Sequence, residues 1–199
     1  MTSLKNLLLG LATSAALLSG TAAASDWDID PTHSSISFTV DHMVISEVQG
    51  KFDQFSGTIT GFDAADASKA KVSATIQTGS VNTSNKDRDD HLKSPDFFDA
   101  EKFPTATFTS TAIKKTGEGK YEITGDFTLH GVTKSITIPV KMKGPITDPW
   151  GNVRTGFEGT INLDRTAYGL TWSKTLETGG LVVGNDVALT LRVEAVQKK

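Results

Sequence analysis

The chain has 199 residues, a length that suits one domain and is short for two. It contains no cysteine, which excludes disulfides, cysteine-ligated zinc, iron–sulfur clusters and a thiol nucleophile. Its 20 Lys and Arg face 23 Asp and Glu for a net charge of -3, so we expect no nucleic-acid partner. Hydrophobic residues make up 37%, which is typical of a globular protein.

The first 24 residues have the pattern of a secretory signal peptide. Lys5 precedes an apolar run over residues 7–18, which is too short for a membrane-spanning helix because such a helix needs ~20 apolar residues. The run leads into Ala22-Ala23-Ala24, a small-residue cleavage pattern. We therefore predict cleavage after Ala24, a mature domain of residues 25–199 without an integral membrane segment, and a periplasmic or secreted location. An uncleaved anchor is the alternative.

Alternation of apolar and polar residues predicts β-strands through most of the mature chain. The clearest strands cover 35–41, 71–77, 122–129, 135–143, 157–164 and 187–194, with weaker ones at 56–62 and 105–115. Residues 26–30 predict an exposed N-terminal strand rather than a calcium loop, since Pro31 stands where that loop needs glycine. Leu129-His130-Gly131-Val132 predicts a tight hairpin. About eight one-sided strands favour an all-β fold, an antiparallel sandwich or barrel in one domain.

Helix is expected only in the middle of the chain. Residues 84–93 can form a helix capped by Ser84, with Asp87 completing a capping box. A second short helix is expected from Ser94 and Pro95 to about Lys102. In a barrel, such a segment can close one end.

The familiar catalytic motifs are missing from the sequence. It has no G-x-S-x-G, no Walker A loop and no G-x-G-x-x-G. The four histidines His33, His42, His91 and His130 lie far apart without metal-ligand spacing, so we expect neither a metal nor another cofactor.

Polar candidates for a site lie on the predicted helix and after one strand. Arg88, His91 and Leu92 share one helix face, which can look into a barrel mouth or belong to a solvated charged helix. His42 follows the strand that ends near Val40 and is either a site residue or a structural hydrogen-bonding group. Four of the ten phenylalanines lie between 97 and 108, where they line a pocket or pack in the core.

A set of short motifs follows in order along most of the mature chain. They occupy residues 29–34, 38–43, 50–52, 55–59, 88–98, 103–108, 125–134, 148–151, 165–170 and 182–184. The central one reads Arg88-Asp89-Asp90-His91-Leu92-Lys93-Ser94-Pro95-Asp96-Phe97-Phe98. Together these motifs resemble the YceI family of secreted lipid-binding proteins.

The resemblance implies an extended, lipocalin-like antiparallel barrel of eight strands whose interior holds a long apolar lipid. The ligand class is a polyisoprenoid, an isoprenoid quinone or a similar lipid, bound without catalysis, and a homodimer is an expectation carried by the family alone. The residues expected to line the pocket are Phe38, Phe52, Phe55, Phe97, Phe98, Phe108, Phe127, Leu129, Phe157 and Trp172. The polar groups expected near the lipid head group are Arg88, His91 and His42.

Two other functional classes stay open at the level of the sequence. One is a periplasmic hydrolase or isomerase that acts on a lipid-like substrate, with His42 or His91 as a base beside an Asp. The other is an interaction module whose barrel is packed solid. An interior cavity would favour the lipid carrier over that module.

Overall fold

The computed structural model describes residues 24–63, 66–177 and 179–199, which form 11 strands and a single α-helix. The predicted signal peptide lies outside these residues except for Ala24. In the described part of the chain, no helix has the length and apolar character needed to cross a membrane.

The secondary structure is almost entirely antiparallel β. The strands are β1 (Ser25–Ile29), β2 (Ser35–His42), β3 (Ser46–Phe52), β4 (Phe55–Phe62), β5 (Lys71–Gln77), β6 (Val81–Asn82), β7 (Thr105–Gly117), β8 (Lys120–Leu129), β9 (Val132–Thr147), β10 (Val153–Asp164) and β11 (Val183–Gln197). The helix α1 spans Lys86–Lys93, and 3₁₀ turns cover Ala67–Lys69, Thr78–Ser80 and Arg165–Tyr168.

The barrel closes at β11. Its residues 183–192 pair with β2 and its residues 195–197 pair with β1. The strands β2 and β1 therefore lie end to end along the same side of β11. In the same way, β4 and β3 lie beside β1 and β2, and β5 and β6 lie beside β4 and β3. Each of these three pairs of short strands occupies one position, and β7 to β11 complete a closed antiparallel barrel of eight. The predicted all-β barrel is confirmed.

The two ends of the barrel differ. At one end, here called the mouth, lie α1, the 43–45 and 130–131 turns and residues 165–177 and 179–182. At the other, the closed end, lie the 118–119 and 148–152 turns and the 3₁₀ turn Ala67–Lys69. The polar residues of the mouth are therefore gathered from four separate parts of the chain.

Two apolar clusters fill the interior. The larger one lies toward the mouth and includes the buried Phe38, Phe108 and Phe127. The smaller one lies at the closed end and includes Phe62, Tyr121 and Trp27. Trp27 is 3% exposed, so β1 exists as predicted but was wrongly expected to be exposed. The side chain of Trp27 is buried because it lies in the same core cluster as Ile59, Phe62 and Tyr121.

The predicted strands are present, and most extend further than the alternation indicated. The strand β3 was missed because Gly50 interrupts its inward-facing apolar positions. A Cβ at Gly50 would lie 2.3 Å from Cζ of Phe38 on the paired strand β2. The glycine is therefore part of the core, since the Phe38 ring fills the space that its side chain would occupy.

The predicted helix is real, but its cap was assigned to the wrong residue. The Asn85 side chain caps α1 by accepting from Arg88 N, at 3.0 Å. Ser84 instead has a φ of 60° and donates its N–H to Asn82 Oδ1. Because the backbone of Ser84 is left-handed, the helix cap is Asn85, one residue later than predicted.

The second predicted helix is wrong. The described residues 95–98 and 100–102 form turns. Ser94 ends α1, and its hydroxyl donates to His91 O at 2.7 Å. Phe98 N then donates to Leu92 O and Ala100 N donates to Lys93 O, so the segment after α1 satisfies the last carbonyls of the helix. Sequence propensity favoured a new helix here, whereas these hydrogen bonds fold residues 95–102 back toward α1.

The predicted hairpin at 129–132 is confirmed. Leu129 pairs with Val132, which leaves a two-residue turn. His130 and Gly131 have φ values of 52° and 76°, the left-handed backbone that such tight hairpins require.

Candidate functional site

A cavity of about 190 Å³, the mouth cavity, opens between α1, the end of β2 and the start of β11. Its lining residues are Phe38, Val40, Asp41, His42, Val48, Arg88, His91, Leu92, Phe97, Trp172, Val182 and Val183. Most of these side chains are apolar, and the polar ones are those of Asp41, His42, Arg88 and His91. The arrangement is suited to a ligand with a long apolar part and a small polar end.

Arg88 contributes an exposed cation to the mouth cavity. Its Nε donates to Thr83 Oγ1 at 2.7 Å, and its Nη2 donates to Thr83 O at 2.9 Å. Thr83 is itself fixed, because its N–H and its hydroxyl both donate to Asp89 Oδ1. The guanidinium is thus held in place by the segment that precedes the helix.

His91 is held by an aromatic pair and a carboxylate. Its ring lies edge-on to Phe97 and Trp172, with centroids 5.0 and 4.8 Å away. Its Nε2 lies 2.9 Å from Asp96 Oδ2. His42 approaches the same cavity from the end of β2, where it pairs with Ser46 of β3. The predicted trio of Arg88, His91 and His42 therefore lines one cavity.

A second cavity of about 100 Å³, the middle cavity, lies below the first. It shares Phe38, Val40, Leu92, Phe97 and Val183 with the mouth cavity, and its other lining residues are Phe52, Ile76, Phe98, Ala106, Phe127, Leu129, Leu163, Arg165, Tyr168, Leu170, Val187 and Leu189. Almost all of these side chains are apolar.

Arg165 is buried beside the middle cavity but directs its charge toward backbone carbonyls. Its Nε donates to Gly184 O at 2.7 Å, its Nη2 donates to Val183 O at 3.0 Å, and its Nη1 donates to Leu170 O. Burial lowers the pKa of Arg165 from its ordinary value. The guanidinium ties the 165–170 segment to the start of β11 and so shapes the roof of the cavity.

A third cavity of about 120 Å³, the deep cavity, occupies the barrel interior toward the closed end. It shares Ile76, Phe127 and Leu189 with the middle cavity, and its other lining residues are Ile29, Ile36, Ile59, Phe62, Val72, Ala74, Phe108, Ile113, Tyr121, Ile123, Ile136, Ile138, Val140, Phe157, Gly159, Leu191 and Val193. Phe62 meets Tyr121 and Phe157 edge to face, with centroids 6.3 Å apart in both pairs. Burial also raises the pKa of Tyr121, which keeps its phenol neutral.

The three cavities follow one another from the mouth into the barrel, because each shares wall residues with the next. Interior cavities with apolar walls stay free of water and accept apolar molecules. The interior of this barrel can therefore solvate a hydrocarbon chain, while polar groups are concentrated at its entrance.

Most of the residues proposed from the sequence lie on these walls. Phe38, Phe52, Phe97, Phe98, Phe127 and Leu129 line the middle cavity, Phe108 and Phe157 line the deep cavity, and Trp172 lines the mouth cavity. Phe55 does not appear on any of the three walls and instead packs against the larger core cluster.

The aliphatic part of the wall and the roof are not among the binding residues predicted from the sequence. Ile76, Ile138 and Leu189 belong to strands whose alternation was recognised, so their inward direction could have been derived. Arg165 and Tyr168 carry no such signal, because their position depends on a 3₁₀ turn that folds over the barrel.

One cluster of candidate metal ligands lies elsewhere, on the outer surface of the barrel. Asp30, His33 and Glu194 each offer one ligand atom, and these atoms lie within 4.8 Å of one another. Arg154 Nη1 already donates to Asp30 Oδ2 at 2.9 Å and to Glu194 Oε1 at 2.7 Å. The arginine thus supplies the positive charge that these two carboxylates require.

A family model of the YceI-like domain matches residues 27–195. The chain belongs to the YceI family. The family resemblance noted in the sequence is therefore confirmed over nearly the whole described chain.

Several YceI relatives match over most of their length. Protein YceI of Escherichia coli O157:H7 is 40% identical over 199 residues, covering 98% of this chain and 100% of that protein. A UPF0312 protein of Ectopseudomonas mendocina (strain ymp) is 45% identical over 170 residues, covering 84% of this chain and 88% of that protein.

Solved structures share the fold of this barrel. Burkholderia cenocepacia BcnA superposes with a TM-score of 0.74 at 27% identity and covers 83% of this chain and 98% of its own. The Campylobacter jejuni YceI protein gives a TM-score of 0.69 at 34% identity, with coverage of 80% and 90%. A domain of Saccharophagus degradans, described as polyisoprenoid binding, gives 0.64 at 19% identity, with coverage of 86% and 98%, and shares the fold.

Proposed function

We propose that this YceI-family protein binds a long apolar lipid inside its barrel and carries or sequesters it without chemical change. The lipid is a polyisoprenoid, an isoprenoid quinone or a similar chain. The observation that carries the proposal is the series of three adjacent, largely apolar cavities running inward from the mouth. The polyisoprenoid-binding description of the Saccharophagus degradans domain, which shares this fold, supports the same ligand class.

The free energy of burying hydrocarbon is large enough for this mode of binding. Removing one CH₂ group from water contributes ~0.8 kcal/mol, so a five-carbon isoprene unit contributes about 4 kcal/mol before ordering costs. A ligand of several units therefore binds tightly without a strong polar anchor.

The cavity volumes indicate how the chain is accommodated. An apolar protein cavity of ~150 Å³ accepts benzene, and the deep and middle cavities measure about 120 and 100 Å³. Each therefore accepts about one isoprene unit with its walls as they stand. A chain that fills both must displace some of Ile76, Phe127 and Leu189, which line both cavities. We expect these side chains to change rotamer on binding.

The mouth cavity suits the polar end of such a lipid. Arg88 is exposed and fixed by Thr83, and it can donate to an oxygen of a head group. His42 and His91 line the same cavity and offer further hydrogen bonds. These groups orient the ligand, whereas the barrel interior supplies most of the affinity.

Lipid extraction from the purified protein tests the proposal. We expect mass spectrometry to find a polyisoprenoid or quinone that copurifies with the wild type or is taken up when added. The matched control is Ala106→Phe, which fills the middle cavity and should carry markedly less lipid. A wild type that contains no lipid and takes up no added isoprenoid would contradict the function.

Catalysis on a lipid-like substrate is the second candidate, and the His91–Asp96 pair favours it. Their side-chain atoms lie 2.9 Å apart beside the mouth cavity, as a general base and its orienting carboxylate would. His42→Ala and His91→Ala distinguish the candidates. A carrier keeps most of its binding in both variants and returns the lipid unaltered, whereas an enzyme converts the lipid and loses turnover in one of them.

We also propose that the protein acts in the periplasm or outside the cell. The signal-peptide pattern of residues 1–24 supports this location. N-terminal sequencing of protein from fractionated cells should find a mature chain that begins at Ser25. A cytoplasmic chain that retains Met1 would contradict the proposal.

A further inference from the structure

Large apolar side chains are exposed at two places in the described chain. At the mouth, Met43, Val44 and Ile45 are 39%, 70% and 85% exposed, and they form the turn between β2 and β3. We call these three residues the mouth tip. At the closed end, Ile146 and Trp150 are 64% and 80% exposed. Exposed apolar residues that cluster on a surface mark a site of contact.

The mouth tip is held in a defined conformation. Met43 N donates to Val182 O at 3.0 Å, and Ile45 N donates to His42 O at 3.2 Å. Met43 and Val44 have φ values of 54° and 64°. A β-branched residue is strongly disfavoured in this left-handed region, where glycine or asparagine would be favoured. An apolar side chain is therefore presented to solvent at a position whose backbone favours a polar one.

The mouth tip lies directly beside the entrance to the barrel. His42 immediately precedes the tip, and Val182 accepts the hydrogen bond from Met43 N. Both residues line the mouth cavity. On its other side, Val44 packs over Gly180, where an added Cβ would lie 2.9 Å from Val44 Cγ2. A surface that receives the tip would thus lie against the mouth cavity.

The size and charge of the region identify the kind of partner. Three side chains expose far less than the ~800 Å² per partner that a stable protein interface buries. They are enough, however, to enter the boundary between the head groups and acyl chains of a bilayer. Asp41 and Glu47 are exposed and pair across the strands just behind the tip. These two carboxylates flank the tip, whereas the exposed cation of Arg88 is held on Thr83 at α1, so the surface directly behind the tip favours neutral head groups over anionic ones.

We infer that the mouth tip inserts into the surface of a neutral lipid bilayer and brings the mouth cavity against the membrane. An apolar lipid then passes between bilayer and barrel without crossing water. This inference rests on the proposed lipid-binding function and adds to it the surface from which the ligand is taken.

The test compares two matched double variants with the wild type. Val44→Asn with Ile45→Asn makes the tip polar, and asparagine tolerates the backbone of residue 44, so the melting temperature should not fall. Ile146→Asn with Trp150→Gln makes an equal change at the closed end. Flotation with vesicles of phosphatidylcholine and phosphatidylethanolamine measures membrane binding. Ubiquinone uptake is measured twice, from loaded vesicles and from an ethanol stock.

We expect the tip variant to lose about tenfold or more in vesicle partitioning, equivalent to ~1.4 kcal/mol. Its ubiquinone uptake from vesicles should slow similarly, while uptake from ethanol stays unchanged and the closed-end variant behaves like the wild type. Partitioning should weaken when phosphatidylglycerol is added to the vesicles.

Equal partitioning of the tip variant and the wild type, or an equal loss in the closed-end variant, would overturn the inference. So would a wild-type dimer in analytical ultracentrifugation that the tip variant abolishes, since the tip would then contact a second copy. A wild type that takes up ubiquinone from neither source would count against the proposed function, while the flotation comparison still decides the docking.

Discussion

Arg154 joins carboxylates from three parts of the chain on the outer surface of the barrel. Its Nε donates to Asp148 Oδ2 at 2.7 Å, and its Nη1 reaches Asp30 and Glu194. The hydrogen bond from Arg154 is the main reason that the pKa of Asp148 lies well below its usual range. The pKa of Asp30 is also lowered, first by its hydrogen bond with Thr32 and then by that with His33.

The lowered carboxyl pKa values predict the acid dependence of stability. Because these groups ionise more readily when folded, their contribution is full above the unfolded pKa of ~3.9 and is lost as the pH falls toward the folded values. We expect Arg154→Gln to lower the melting temperature at pH 7 by several degrees and to flatten its decline below about pH 4. Arg192→Gln is the control, since Arg192 forms an exposed pair with Glu158 at 3.4 Å. Circular dichroism across pH 2–8 measures both variants, and parallel curves for Arg154→Gln and wild type would refute the assignment.

Gly50 is a second residue on which the packing of the core depends, because the Phe38 ring occupies the space beside it. In Gly50→Ala the new methyl group must push this ring toward the middle and mouth cavities, both of which Phe38 lines. We expect a loss of about 1–3 kcal/mol in unfolding free energy from overpacking and weaker isoprenoid binding. The control is Gly117→Ala at the end of β7, where the backbone is not left-handed and a Cβ would make an ordinary contact, 3.6 Å from Lys120 Cδ. Urea unfolding and isoprenoid titration measure the two effects, and unchanged binding would show that the ring moves elsewhere.

At the scale of the elements, the roof of the barrel depends on one side chain. Arg165 joins the 3₁₀ turn Arg165–Tyr168 to the start of β11 through three backbone carbonyls. In Arg165→Met these buried acceptors lose their donors, and we expect a cost of about 2–4 kcal/mol. Hydrogen exchange should accelerate first in residues 165–184, with little change in β7 and β8. Lys174→Met, an exposed substitution in the same segment, should leave exchange unchanged. Uniform acceleration throughout the barrel would contradict a local role.

At the scale of the whole molecule, the order of the cavities predicts selectivity for chain length. Of the three cavities that follow one another from the mouth, Ala74 lines the deep one alone and Ala106 lines the middle one alone. We expect Ala74→Leu to shorten the longest isoprenoid bound while leaving short ones unaffected. Ala106→Leu, the same change nearer the mouth, should weaken binding of every length. Competition among farnesol, geranylgeraniol and longer prenols measures this difference. Identical length profiles in the two variants would contradict entry from the mouth.

The local pattern of the sequence was sufficient for much of this architecture. Period-two alternation locates strands because it reports which side chains face a core, and His130-Gly131 identifies a hairpin because few residues accept a left-handed backbone. The same information failed at Gly50, where a neighbouring ring replaces the missing side chain, and at residues 94–102, where turns fold back on α1.

By itself, the sequence determined an all-β chain of one-sided strands, a cysteine-free composition and a set of motifs that identify the family. Only the tertiary structure decided that the apolar faces enclose three adjacent cavities, that Phe55 lies off their walls, and that the mouth tip stands beside the entrance. The physical reason is that alternation is a property of residues that are adjacent in the sequence. Closure of the barrel, in contrast, joins strands as far apart in sequence as β2 and β11.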